Sequence, residues 1–370
     1  MSRQDTTPEL PTRMKGVQLT RHGGPESLAW REDIPVPRPG AGQVLVRVLA
    51  AGLNNTDINT RIGWYSSDVT GATEETGQEV EAGGWGGALT FPRIQGGDLC
   101  GRVVAVGEGV TLRLGARVTC PINLPRPTPE SPTAYIALGS EMDGAFAEYC
   151  LVEAADLHDV SRSPLSDAQI AAIPCAFGTA ENLLTRAGVS EGQSVLITGA
   201  SGGVGLAAVQ LSTLRGAEIT GMTSPAKAQH VTEAGAAHIL PRGEAPKAAR
   251  FDAVIDVVGG PDWPDFIRAL KPGGHYAVSG AIAGPMVTAD LREIYLPDIT
   301  IHGCTYQPPE VFTRLVTLMN QGDIRPLVSK TYPLREIAKA QEEFMSKQYA
   351  GKLVLLPPGA EAAADGKATS

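Results

Sequence analysis

The chain has 370 residues, 42% apolar and 19% charged, and a net charge of −9 from 31 Lys and Arg against 40 Asp and Glu. At roughly 100–200 residues per domain this length predicts two domains, and the composition argues against global disorder. An acidic chain with no Lys/Arg block argues against nucleic acid or anionic membrane as a partner, and no apolar run approaches the roughly 18 residues of a membrane span.

Residues 1–13 are polar, contain Pro8 and Pro11 and lack the apolar stretch of a signal peptide. They predict a disordered leader on a cytoplasmic protein, ordered from Met14. From Lys15 to about residue 160, short β-branched runs such as Val44–Leu49 and Arg102–Val106 are broken by Gly and Pro, as in an irregular, mostly β domain. Residues 66–95 are rich in Gly, Thr and Glu and have no period; such a loop is a lid, a binding loop or disorder, and Trp85 and Phe91 favour a partly ordered lid. After residue 161 the texture changes. Ser166–Ala187 reads as helical, Ser194–Thr198 as a buried strand, Val204–Arg215 as a helix and Glu218–Met222 as a strand. Pro225–Ala234 (helix) and His238–Leu240, Phe251–Val258 and His275–Ser279 (strands) continue the alternation, which means βαβ units and a doubly wound parallel sheet. Helices Glu310–Asn320 and Ile337–Lys347 and the strand Lys352–Leu356 do not extend that pattern. The expected layout is an α/β chain with a mostly β domain over 14–160 and 306–356, a doubly wound domain over 161–305, and a disordered tail over 357–370.

The strand Ser194–Thr198 runs into Gly199, Ala200, Ser201, Gly202, Gly203, Val204 and Gly205, and then into a helix. A dinucleotide needs this order: a tight turn, small residues that let the backbone approach a pyrophosphate, and a helix N-terminus with free N–H groups. The glycines follow AxGxxG, so the strand–turn–helix context carries the assignment. An NAD site wants a carboxylate about 20 residues on, at the end of the second strand. That region holds Thr223, Ser224 and Lys227 and no acid, and Arg242 follows the third strand. Hydroxyls and cations suit a 2′-phosphate, so NADPH is favoured. Thr223 and Ser224 also suit a helix cap ahead of Pro225, and both roles are compatible.

Ordered blocks over residues 14–356 resemble the medium-chain dehydrogenase/reductase superfamily, in its zinc-free quinone oxidoreductase and enoyl reductase branch. They are MKGVQLTRHGGPESL (Met14–Leu28), AAGLNNTDIN (Ala50–Asn59), GGDLCGRVVAVGEGV (Gly96–Val110), DGAFAEY (Asp143–Tyr149), TGASGGVG (Thr198–Gly205) and AGKLVL (Ala350–Leu355). The resemblance implies a GroES-like β domain plus a Rossmann domain, with the active site in the cleft between them. It also implies a homodimer, by edge pairing near Thr300–Thr305. Where zinc alcohol dehydrogenases of this superfamily place a Cys and a His, this chain has Asn54 and Gly97; the third ligand position holds Cys175. One thiol does not make a catalytic zinc site of three ligands, so no metal is expected. Tyr65 lies in D-I-N-x-x-x-G-x-Y (Asp57–Tyr65), similar to a pattern of enoyl thioester reductases in which the Tyr supports proton delivery; packing at a loop entrance is the other reading. By resemblance Thr179 lies near the nicotinamide, and Asn54 and Tyr65 face the substrate. The implied activity is NADPH-dependent hydride transfer to a quinone or an α,β-unsaturated carbonyl compound. A zinc alcohol dehydrogenase and a non-catalytic dinucleotide-binding protein remain the alternatives.

Overall fold

A computed structural model describes residues 10–66, 69, 71–73 and 89–360. Strand β1 (Arg13–Leu19) pairs antiparallel with β2 (Leu28–Pro35). Then come β3 (Gln43–Gly52), α1 (Asn55–Ile62), β4 (Asp98–Val106), β5 (Arg117–Thr119), β6 (Asn123–Pro125), β7 (Tyr135–Ala137), β8 (Tyr149–Glu153) and β9 (His158–Asp159). β3 is the hub of this domain, antiparallel to both β4 and β8. Val44, Leu45, Val46 and Val48 are buried along it, which is why this β-branched run is the clearest strand signal in the domain.

Helices α2 (Asp167–Ala171) and α3 (Pro174–Arg186) lead into the second domain. Its elements are β10 (Ser194–Ile197), α4 (Gly203–Leu214), β11 (Glu218–Thr223), α5 (Ala228–Glu233), β12 (His238–Pro241), β13 (Phe251–Asp256), α6 (Trp263–Arg268), β14 (Leu270–Val278), α7 (Arg292–Tyr295) and β15 (Thr300–Gly303). The strands are parallel, in the order β12-β11-β10-β13-β14-β15. This is the doubly wound order, whose direction reverses between β10 and β13, and ligands bind outside the carboxyl ends of the strands at such a point. Val195, Leu196 and Ile197 of β10 are fully buried, as helices on both faces require.

The chain then forms α8 (Pro309–Gln321), β16 (Val328–Pro333), α9 (Ile337–Met345) and β17 (Lys352–Leu356). Strands β16 and β17 join β3 in a sheet of order β16-β17-β3-β4-β5-β9. The α/β class and the GroES-like plus Rossmann arrangement therefore hold. Strand pairing with the first domain's sheet resumes at β16. Phe312, Leu315 and Met319 of α8 share a core with Phe177 of α3 and Val209 of α4, and α8 also meets the first domain, the Phe312 ring 5.2 Å from that of His158 and Asn320 Nδ2 donating to Asp159 O at 3.4 Å. The first strand begins at Arg13, one residue before the expected start. Most of the expected leader, tail and lid lies outside the described residues, Trp85 included. The described far end of residues 66–95 is tied to the first domain: Leu19 bridges Arg93, and Arg93 pairs with Asp143 at 2.8 Å.

Across the domain seam, Gly351 N donates to Ser201 O at 2.9 Å, and Gly202 bridges Gly351. Asn123 Nδ2 donates to Thr305 O at 3.3 Å, and Asn182 Nδ2 to Tyr306 O at 3.1 Å.

Candidate active site

The glycine turn has the shape its sequence requires. Gly199 is left-handed at φ 55°, a conformation glycine adopts without a side-chain penalty. Gly202 is extended and precedes the first turn of α4. A Cβ on Gly205 would lie 2.2 Å from Gly199 O, so the helix packs directly on the turn. A Cβ on Gly202 would meet nothing nearer than Gly199 O at 3.4 Å. The bare backbone there is open to a group approaching from outside, as a pyrophosphate on a helix N-terminus does. Ala200, Ser201, Gly203 and Val204 complete the same turn.

The other expected cofactor residues gather at the ends of β11 and β12. Thr223 is buried, and its Oγ1 has no hydrogen-bond partner among the described residues. Ser224 is half-buried, Arg242 is exposed, and Arg242 N donates to Thr223 O at 2.9 Å. Lys227 Nζ donates to Tyr349 O at 3.1 Å and to Lys347 O, so it also ties the two domains together. Burial, then the charges of Arg242 and Lys347, push its pKa down. Three cations thus converge on this edge, with one ammonium hydrogen of Lys227 left to donate.

The expected reacting end is built around α1. Its sequence is too polar to announce a helix, but its ends are marked. Asn54 is extended and its N donates to Asp57 Oδ2 at 2.8 Å, and Gly63 closes the helix in the left-handed region at φ 72°. Tyr65 follows that cap, half-buried, its hydroxyl donating to Thr56 Oγ1 at 2.9 Å. Burial of the hydroxyl pushes its pKa up to about 12, with the Cys175 thiol and the Asp57 carboxyl near enough to add to the shift. Thr179 is buried one turn beyond Cys175 on α3.

The centre of the site is a set of buried charges that sequence reasoning missed. Lys352, 4% exposed, donates from Nζ to Leu53 O at 2.8 Å, to Asp98 Oδ2 at 3.0 Å and to Asn54 Oδ1. Asp98, fully buried, accepts from Cys175 N at 2.6 Å through its other oxygen, capping the start of α3. The Lys352 stem passes over the glycine turn, since a Cβ on Gly203 would lie 2.7 Å from its Cδ. A signal was present: Lys352 opens a strand that is otherwise apolar, and Asp98 opens one whose only other polar side chain is the exposed Arg102.

Asp57 carries a pH-dependent consequence. Burial, and then the charge of Asp98, lift its carboxyl from 3.8 to about 7, against the opposing Asn54 N–H, Lys352 and Gly96 N–H. Between these values the folded chain holds a proton that the unfolded chain has released, so this group's contribution to stability falls as pH rises from about 4 to about 7. At 1.36 kcal/mol per pKa unit the change is about 4 kcal/mol. Asp57→Asn does not titrate. Urea unfolding should therefore show the variant gaining on the wild type by up to that amount across this window. A difference that stays flat from pH 4 to 7 would mean Asp57 is ionised in the fold.

The donor set around Cys175 is sparse. Burial and Asp98 push the Cys175 thiol up, Gly97 has no side chain, and Asn54 Oδ1 already takes the Lys352 ammonium. Among the described residues no three of His, Cys, Asp and Glu gather as a metal site.

Residues 40–162 match the alcohol dehydrogenase GroES-like domain, and residues 227–355 match a zinc-binding dehydrogenase domain. The chain is 29% identical to acryloyl-coenzyme A reductase of Metallosphaera sedula over 337 residues, 87% of this chain and 95% of that protein. It is also 29% identical to quinone oxidoreductase of Homo sapiens over 364 residues, 93% of this chain and 98% of that one. A solved structure of a putative alcohol dehydrogenase from Sinorhizobium meliloti superposes with a TM-score of 0.85 at 40% identity, covering 94% of this chain and 98% of that one.

Proposed function

The chain belongs to the medium-chain dehydrogenase/reductase superfamily and is an oxidoreductase, and we propose that it is a zinc-free, NADPH-dependent reductase of conjugated carbonyl compounds, quinones included. One observation carries the reading. Where a zinc enzyme of this fold needs thiolate and imidazole, this chain directs a buried ammonium at an amide and a carboxylate. A cation already held by three protein oxygens repels a second cation beside it, and Asn54 and Gly97 offer neither thiolate nor imidazole.

The residues at the glycine turn fit a dinucleotide pyrophosphate. The orphaned Thr223 Oγ1, with Ser224, Lys227 and Arg242, supports a 2′-phosphate and hence NADPH. When bound, the dinucleotide supplies a hydride to the β-carbon of the acceptor. The chain's own residues then handle the charge that collects on the carbonyl oxygen. Asn54 faces that oxygen and Tyr65 supplies the proton, Thr179 being placed beside the cofactor. A quinone is a doubly conjugated dicarbonyl compound and takes hydride by the same chemistry. The two curated relatives named above are consistent with both acceptor types. The same reading takes the chain as a homodimer. Ile301 on β15, at the sheet edge, and Met286, Leu291, Tyr295 and Leu296 ahead of it are all exposed.

The test is an oxidation screen with NADPH and NADH against 1,4-naphthoquinone, 2-cyclohexen-1-one, crotonyl-CoA and an aldehyde, on protein purified without chelator. We expect NADPH preference, turnover on at least one conjugated acceptor, far less than one zinc per chain, and a dimer in sedimentation. Stoichiometric zinc, an NADH preference or activity on the aldehyde alone would each overturn the corresponding part.

A further inference from the structure

Asn54 is 6% exposed, and its two amide ends are in different circumstances. The carbonyl oxygen Oδ1 accepts from Lys352 Nζ. An ammonium only donates, so this contact fixes which end of the amide is oxygen. The other end, Nδ2, is enclosed and has no hydrogen-bond partner among the described residues. A buried N–H left unmade costs about 1–3 kcal/mol, a penalty that a bound oxygen acceptor would remove. Lys352 itself has no freedom to turn away. Its other donors go to Leu53 O and Asp98 Oδ2, and its stem is packed over Gly203.

We infer that Lys352 is a positioning residue: it locks the Asn54 amide so that Nδ2 is presented as the hydrogen-bond donor to the carbonyl oxygen of the acceptor, in the role a metal ion would otherwise fill. This rests on the function proposed above and adds the atom that meets the substrate and the group that orients it. The ammonium acts at one remove. It pulls electron density toward Oδ1 and strengthens the N–H groups opposite, as linked hydrogen bonds do.

Asn54→Asp is the decisive variant. It is isosteric, keeps an oxygen for Lys352 and puts an acceptor, anionic when ionised, in place of the donor. Turnover of the fastest acceptor in the screen should fall about 10²–10³-fold, the usual loss for one oxyanion donor, with NADPH affinity within about twofold. Lys352→Met should lose a similar factor and Lys352→Arg should recover part of it. A second measurement needs neither the cofactor nor turnover. The infrared carbonyl band of 2-cyclohexen-1-one or crotonyl-CoA, labelled with ¹³C at the carbonyl, should move to lower frequency on binding to the wild type. In Asn54→Asp it should return toward the free value. Asn54→Asp turnover within about threefold of wild type, or a bound-carbonyl band unshifted in the wild type, would overturn the inference. The two readings separate cleanly. A shifted band lost in Asn54→Asp, with no turnover of any conjugated acceptor, would retire the function and keep this assignment; normal turnover in Asn54→Asp would do the reverse.

Discussion

Tyr65→Phe should lower kcat on an enone or enoyl thioester by about 10²–10⁴ while NADPH affinity holds. Hydride addition to the β-carbon leaves an enolate, which must gain a proton at the α-carbon. A phenol held at about 12 stays neutral throughout the working range and keeps its proton until the enolate takes it. Its hydroxyl is not isolated. Thr56 Oγ1 lies 2.9 Å away, and because hydroxyls rotate, the pair reverses its bond and frees the phenol proton without moving a heavy atom. The Phe variant removes only the oxygen and preserves the ring's edge-on contact with Trp64. A quinone, which solvent can protonate, should show a slight loss only. Steady-state kinetics on the panel checks this, and a variant within about twofold of wild type on every acceptor would return Tyr65 to packing.

Asp98→Ala should be among the most destabilising single changes in the chain, at about 3–5 kcal/mol for breaking a buried ion pair plus about 1 kcal/mol for the lost cap on α3. The carboxylate is fully buried and divided between Lys352 Nζ and Cys175 N. Without it the ammonium keeps two neutral oxygens and no counter-charge. Asp98→Asn retains an acceptor for Cys175 N and should recover the cap but not the pair. Chemical denaturation of the three proteins separates the two contributions. An alanine variant within about 1 kcal/mol of wild type would show that water reaches the pair in solution.

The parallel sheet was legible because its strands are buried on both faces and read as unbroken apolar runs, and the helices between them carry their own period. The glycine turn was legible because backbone geometry demands those residues. The misses have physical reasons. NTDINTRI gives no helical stripe, and α1 exists because Asn54, Asp57 and Gly63 fix its ends. Lys352 looked like one more polar residue in AGKLVL. Its meaning lies in Asp98 and Asn54, hundreds of residues away in the chain, and only the folded molecule brings these together. Lys227 was read for its charge, while its place beside Tyr349 O gives it a mechanical duty as well.

That duty has a consequence for how the two domains can move. The cleft is fastened where the glycine turn meets Gly351, and again where Lys227 grips the chain just before it. A rotation that preserves these bonds must have its axis through them, as a door turns on its pin, and it would have to break the bonds from Cys175 N to Asp98 Oδ1 and from Asn123 Nδ2 to Thr305 O, which also cross the seam. The glycine turn then sits at the pin, where displacement is least, and the end of the cleft that holds Asn54 and Tyr65 swings on the longer arm. A few degrees of turning would thus widen the substrate mouth while leaving the cofactor's grip almost still, so that acceptors could exchange without loosening the dinucleotide.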